Sequence, residues 1–164
     1  LEKSISKGYY YLLTGSLFKS RYTGGDGIWR DTRYNRNYVV NFLIGKEWQL
    51  GRRHQNTFSL NTRWSLQGGS RYSPLELTRS LAAQAPVYEE TKAFSLQEKP
   101  MFNVHFTGSY RINRKFLSHE IALKIINLTR QPDFNGFRYN MITHSMDRDV
   151  SAILIPNLSY KIEF

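Results

Sequence analysis

The stretch Phe102-Asn103-Val104-His105-Phe106-Thr107-Gly108-Ser109-Tyr110-Arg111-Ile112-Asn113 alternates without a break. Phe102, Val104, Phe106, Gly108, Tyr110 and Ile112 share one parity; Asn103, His105, Thr107, Ser109, Arg111 and Asn113 share the other. Successive side chains of an extended chain point to opposite faces, so this pattern predicts a β-strand with one oily and one wet face.

The same pattern recurs on both sides of it. Phe58, Leu60, Thr62, Trp64 and Leu66 oppose Ser59, Asn61, Arg63, Ser65 and Gln67, while Leu154, Pro156, Leu158, Tyr160, Ile162 and Phe164 oppose Ile155, Asn157, Ser159, Lys161 and Glu163. Weaker alternation predicts strands near 9–22, 38–50 and 118–129, with Lys46 interrupting the apolar set of the second. Aromatic residues make up 15% of the chain and 11 of them are Tyr, a composition that favours strands over helices. The expected fold is all-β, with six antiparallel strands.

Connections between these strands alternate in length. Short turns fall at 51–56 and 113–117, and longer polar segments at 23–36, 73–99 and 132–149. An antiparallel run then gathers the short turns at one end and the long loops at the other. Outer-membrane barrels sort their connections this way, with short turns in the periplasm and long loops outside. A closed soluble barrel fills its interior with apolar side chains, whereas the second face here is Ser, Asn, Arg and Gln. A spanning strand needs only about 9 to 11 residues of alternating polarity, so no long apolar run is required. Tyr9, Tyr10, Tyr11, Trp48, Phe58, Tyr110, Phe116 and Phe164 lie near the short turns or the chain end, and Tyr22, Tyr38, Tyr72 and Phe102 near the long loops. They are expected to form two girdles at the head-group boundaries. Six strands do not close such a barrel, whose smallest bacterial forms have about eight. Further strands are expected before Leu1, with residues 1–8 forming the tail of the preceding strand and its turn, and Gly8 supplying backbone freedom.

Other chemistries find little support in the residues. The formal charge of +10 is not gathered on one element: Arg52, Arg53, Arg114 and Lys115 fall in short turns, and Arg30, Arg33, Arg36, Arg130, Arg138 and Arg148 in or beside the polar segments. Solvated loops, with no nucleic-acid partner, are the expected reading. His54, His105, His119 and His144 are scattered without metal-ligand spacing, and Asp133, Asp147 and Asp149 are acidic loop residues of the ordinary solvated kind. No metal or cofactor is expected. Gly24-Gly25-Asp26-Gly27 lacks the helix that a phosphate loop requires and reads as a turn. No strand-turn-helix elbow presents a nucleophile, so no catalytic residue is expected and the protein is not read as an enzyme. The absence of Cys excludes a disulfide framework.

Several segments resemble the C-terminal barrel region of TonB-dependent outer-membrane receptors. They are Tyr22-Thr23-Gly24-Gly25-Asp26-Gly27 followed by Thr32, Asn35, Tyr38, Asn41 and Gly45-Lys46-Glu47; Gly68-Gly69-Ser70-Arg71-Tyr72-Ser73-Pro74, similar to a strand-to-loop junction; and Leu123-Lys124-Ile125-Ile126-Asn127-Leu128-Thr129, similar to a strand running into an Asn-Leu turn. The likeness covers essentially all of 1–164 and ends on Tyr160-Lys161-Ile162-Glu163-Phe164. Lys124 departs from it, standing where relatives are expected to carry an acidic or neutral residue.

The resemblance implies that residues 1–164 are the C-terminal portion of one barrel domain of about 22 strands, plugged by an N-terminal domain outside this chain. It implies transport of a scarce nutrient (siderophore, vitamin, oligosaccharide or peptide) across the outer membrane of a Gram-negative bacterium, with TonB engaged through the absent N-terminal region. Outer-membrane lipid and the barrel assembly machinery are the other implied partners. Leu158, Tyr160, Ile162 and Phe164 resemble the C-terminal signal that engages this machinery, and are also what a final lipid-facing strand would present. Tyr34, Tyr72, Tyr88, Phe134, Phe137 and Tyr139 are candidate ligand-contacting aromatics of the outer loops, with loop packing as the competing role. A passive porin, a barrel enzyme and a soluble polyanion-binding β-domain are the alternatives.

Overall fold

The computed structural model describes residues 1–52 and 55–164. Arg53 and His54, assigned above to a short turn and to the scattered histidines, lie outside the described residues. In chain order the elements are β1 (Glu2–Ser6), β2 (Tyr9–Leu17), β3 (Arg21–Thr23), β4 (Trp29–Asp31), β5 (Tyr38–Leu50), β6 (Asn56–Gln67), β7 (Arg71–Tyr72), helix α1 (Leu77–Ala83), β8 (Leu96–Gln97), β9 (Met101–Asn113), β10 (Ser118–Ile126), β11 (Asp133–Asn140), β12 (Ser145–Ser151) and β13 (Ile155–Glu163). A short 3-10 turn, Glu90–Lys92, precedes β8.

The fold is all-β and dominated by one antiparallel sheet of seven strands in the order β1-β2-β5-β6-β9-β10-β13. Six of these are the strands expected from alternation; the seventh, β1, is the strand tail expected within residues 1–8. It turns into β2 through Lys7 and Gly8, and Gly8 takes a positive φ of 78° that a side chain would oppose. Among the described residues, β1 and β13 each have one neighbour, so the sheet is open at both edges.

Register carries the alternation of each strand across the whole sheet. Trp48 pairs with Phe58, Phe58 with Tyr110, Tyr110 with Ile121 and Ile121 with Tyr160, so one oily row crosses five strands. The wet row beside it runs Gln49, Thr57, Arg111, Glu120 and Lys161. A slip of one residue in any pair would have mixed the two faces. From Phe102 to Tyr110 along β9 the rise is about 26 Å at about 3.3 Å per residue. Rings mark both ends of that interval: Trp48 stacks on Phe58 with centroids 5.5 Å apart, and Trp64 meets Phe42 and Phe102 edge-on at 6.2 and 6.4 Å.

Two expectations about aromatics need correction. Tyr22 and Tyr72 lie in β3 and β7, beyond the sheet, because β2 ends at Leu17 rather than running on to Tyr22 and β6 ends at Gln67. Phe42 and Trp64, with Tyr38 and Phe102, occupy the oily face at that end instead. Tyr10 faces the wet side, opposite Gly45, because it has the opposite parity to Tyr9 and Tyr11.

The buried side chains are not on the sheet faces. Asn35, Ser70, Ser80, Ala93, Met101 and Phe134 are the buried hydrophobic and polar side chains among the described residues, and all lie in the long connections or where these leave the sheet. The oily face is left open: Trp64 is 46% exposed and Leu158 75%. The connections expected as long polar loops are folded into hairpins, β3 with β4, β7 with β8, and β11 with β12, plus α1. Together they make a layer over one end of the sheet.

Candidate functional site

Backbone contacts fix where this layer leaves the sheet. Gly68 and Gly69 pass so close to the backbone carbonyls of Arg36 and Glu98 that a Cβ on either would collide with them. The second resemblance-bearing segment thus begins where the β2–β5 and β6–β9 connections meet. Arg71, two residues after Gly69, donates from Nε to the Asn35 carbonyl at 3.0 Å and pairs with Asp31 at 3.1 Å. Burial pushes the Asp31 carboxyl up, but hydrogen bonds from Arg21 and Asn35 and the Arg71 charge outweigh it and leave it below the usual carboxylate range.

The β3–β4 hairpin closes on the Gly24-Gly25-Asp26-Gly27 segment, which is a turn as expected. Gly27 N–H donates to the Gly24 carbonyl at 3.0 Å, and Arg30 grips both oxygens of Asp26 at 2.9 and 2.6 Å. Those guanidinium bonds, with one from the Ile28 N–H, hold Asp26 at about 2. In the next connection, the fully buried Ser80 hydroxyl accepts from the Val87 N–H at 2.9 Å and lies 3.2 Å from the Val87 carbonyl, so α1 folds back on the chain that follows it.

Four of the six candidate loop aromatics come together. Tyr72 meets Phe134 at 4.9 Å and Phe137 at 6.2 Å, Phe134 meets Phe137 at 5.3 Å, and Tyr88 lies 6.4 Å from Phe137. Phe134 is buried. Tyr34 stands apart at 73% exposed, and Tyr139 packs with His144 near the tip of β11–β12, its hydroxyl 3.0 Å from Nδ1. The sequence reading missed Arg148, whose guanidinium lies 4.4 Å over the Phe134 ring and 5.8 Å from Tyr72, while pairing with Glu98. Glu98 and then Tyr72, by accepting its hydrogen bonds, raise the Arg148 pKa further. The available signal was Met146, Arg148 and Val150 on one parity of β12.

Two cavities flank this cluster. One of about 300 Å³ is lined by Tyr22, Arg33, Tyr72, Tyr88, Glu90 and Phe134 among others. The other, about 490 Å³, includes Gln97, Glu98, Lys99, Asp133 and Arg148. Guanidinium, carboxylate and ring faces side by side suit a flat polar solute that can stack and hydrogen-bond at once. The three loop aspartates do not converge: Asp133 pairs with Ser151 at the base of the hairpin, while Asp149 and Asp147 are spaced towards its tip. Asp147 is engaged by Asn140 at 2.7 Å and Ser145 at 3.0 Å, and these bonds lower its pKa.

On the wet face, Arg63 lies opposite His105, and Lys124 is opposite Thr107 one row away. Nearer the short turns the charges are matched, with Arg111 paired to Glu163 and 3.9 Å from Glu120, and Lys161 paired to Glu163. Of the terminal set, Leu158, Tyr160 and Ile162 lie on the oily face against Leu123, Ile121 and His119; Phe164 follows the last strand and is fully exposed. Comparison of the chain with known protein families, curated proteins and solved structures gives no match.

Proposed function

We propose that this chain is the C-terminal wall of an outer-membrane β-barrel, most specifically of a TonB-dependent transporter that imports a scarce nutrient. The observation that carries the reading is the in-register oily face, open across the sheet and opposite a wet face, with all three long connections at one end. Bilayer lipid is the cover such a face calls for, since the described residues offer no layer that buries it. The interval of about 26 Å between ring-bearing rows suits an apolar band about 25 Å tall flanked by aromatic girdles. The wet face would line the interior, and the hairpin layer would lie at the cell surface.

In this reading further strands pair with β1 and β13 to close a barrel of about 22 strands. A plug and a TonB-contacting segment would belong to the region outside this chain. A siderophore, vitamin, oligosaccharide or peptide would first meet the loop layer, where the Tyr72, Tyr88, Phe134 and Phe137 cluster lies between its two cavities. The role is passage, not catalysis. Leu158, Tyr160, Ile162 and Phe164 would serve the assembly machinery before closure.

Cell fractionation tests the location. The full-length protein is expected with outer membranes and should resist extraction by high salt. Its recovery from the soluble periplasm would sink the proposal.

A further inference from the structure

From β2 to β13, Lys46 is the single Lys, Arg, Asp or Glu on the oily face of the sheet among the described residues. No carboxylate among them lies within 4.0 Å of it. Its ammonium donates to the Tyr9 hydroxyl and lies 4.1 Å from the Tyr9 ring centroid and 5.0 Å from that of Trp48. An ammonium carries three donors, so a single phenol leaves two without an acceptor. A charge on an apolar face is costly unless it is paired or reaches a polar boundary. Lys46 is one pleat inside the Trp48, Phe58, Tyr110 row, close enough for its stem to extend to that boundary.

Directly beside Lys46 is a groove of about 640 Å³ on the same face, lined chiefly by Ile44, Leu60, Trp64, Phe102, Val104 and Phe106. Thr62, the small side chain at its floor, leaves room between the bulky rings of Trp64 and Phe106. An apolar trough lined at one side by Lys46, whose ammonium has no carboxylate partner among the described residues, matches an amphiphile with one hydrocarbon chain along the trough and an anionic oxygen cluster beside it.

We infer that this groove and Lys46 hold one anionic phospholipid in the leaflet nearest the short turns. Its acyl chain lies along Ile44, Leu60, Val104 and Phe106, and its phosphate accepts from the Lys46 ammonium between the Tyr9 and Trp48 rings. The assignment rests on the membrane-barrel reading above. It adds that one site on the barrel wall selects lipid by charge.

Native mass spectrometry of the full-length protein, released from detergent micelles containing phosphatidylglycerol or phosphatidylcholine, reads the selection directly. Wild type should retain phosphatidylglycerol about fivefold better, the scale of one lysine acting at an anionic surface. Lys46→Gln should erase that preference and Thr62→Trp, which fills the trough, should reduce retention of both lipids. Lys124→Gln removes an equal charge from the wet face and should leave the preference intact. A preference unchanged in Lys46→Gln, or absent from wild type, overturns the site while leaving the barrel standing. A wild-type protein that enters no micelle overturns the barrel reading instead. A measurement on wild type alone guards against poor recovery of variants: phosphatidylglycerol with brominated acyl chains should quench tryptophan fluorescence more than brominated phosphatidylcholine at equal mole fraction, and equal quenching counts against the site.

Discussion

Asn35 is 1% exposed and uses its amide and backbone at once. Its side-chain oxygen accepts from the Ser20 N–H at 3.1 Å, its Nδ2 donates to Asp31 at 2.8 Å, and its carbonyl accepts from Arg71. Replacing it by Ala leaves the Ser20 N–H without its acceptor and removes one of the donors to Asp31, whose carboxylate keeps Arg21 and Arg71, at a cost of about 1–3 kcal/mol in the loop layer. Hydrogen exchange over residues 18–37 should then accelerate while the strand amides of β5 and β6 keep their protection; unchanged loop exchange would remove Asn35 from this role. Asp26 makes a pH-dependent contribution. Its folded pKa of about 2 lies below the ordinary value of roughly 3.9, so its clamp on Arg30 contributes fully above the ordinary value and is lost as pH falls through about 2. Slow exchange at the Ile28 amide should persist at pH 4 and fade towards pH 2. In Asp26→Ala, which removes the acceptor, it should be fast at both, and equal protection in the two proteins would count against the clamp.

At the scale of the element, β9 offers the sharpest contrast because neighbouring residues face opposite surroundings. Spin labels at Val104 and Phe106 in the full-length protein should show lipid-like accessibility, and those at His105 and Thr107 a polar environment. Phe106→Arg should cost about 2–4 kcal/mol if the residue lies near the bilayer midplane, and Thr107→Arg far less. Equal accessibility at the four positions would refute the face assignment. These faces were legible in the sequence because period-two alternation is a local property, as in Phe102 to Ile112, and register only had to carry it sideways. The loop layer was less legible. Alternation in Phe134-Asn135-Gly136-Phe137 is broken by a register shift in the β11–β12 pairing, so the local pattern there does not announce a hairpin. Ser80 and Arg148 derive their places from partners 7 and 50 residues away, and no local pattern announces such pairings. The cluster of Tyr72, Phe134 and Phe137 was named residue by residue, but its assembly depends on the junction at Gly68 and Gly69 bringing the connections together.

For the molecule as a whole, the open edges and the open oily face make the same demand. β13 pairs with β10 through nine residue pairs from Ser118–Glu163 to Ile126–Ile155, and its other edge has no partner among the described residues. In hydrocarbon each unpaired backbone group costs several kcal/mol, so the strand can rest in a membrane only after that edge is closed. In the proposed barrel, β13 before closure would be an exposed template, with Leu158, Tyr160 and Ile162 on one face and Phe164 beyond its end. A protein that must catalyse insertion can add to that edge and read the face. Phe164 is fully exposed beyond the end of β13 and forms no aromatic pair among the described residues, so in the proposed barrel it would contribute little to holding β13 against β10. Deleting Phe164 from the full-length protein should therefore lower the amount inserted in the outer membrane, while the molecules that do insert bind ligand as wild type does. Quantifying inserted protein by heat-modifiable gel migration, alongside ligand binding per inserted molecule, separates the two effects. Wild-type insertion after the deletion would refute the assembly role. Residues 1–164 expressed alone present the same free edge with no strand to close it, and should aggregate or require detergent; a monomer that folds cooperatively without detergent would undermine the membrane reading of the sheet itself.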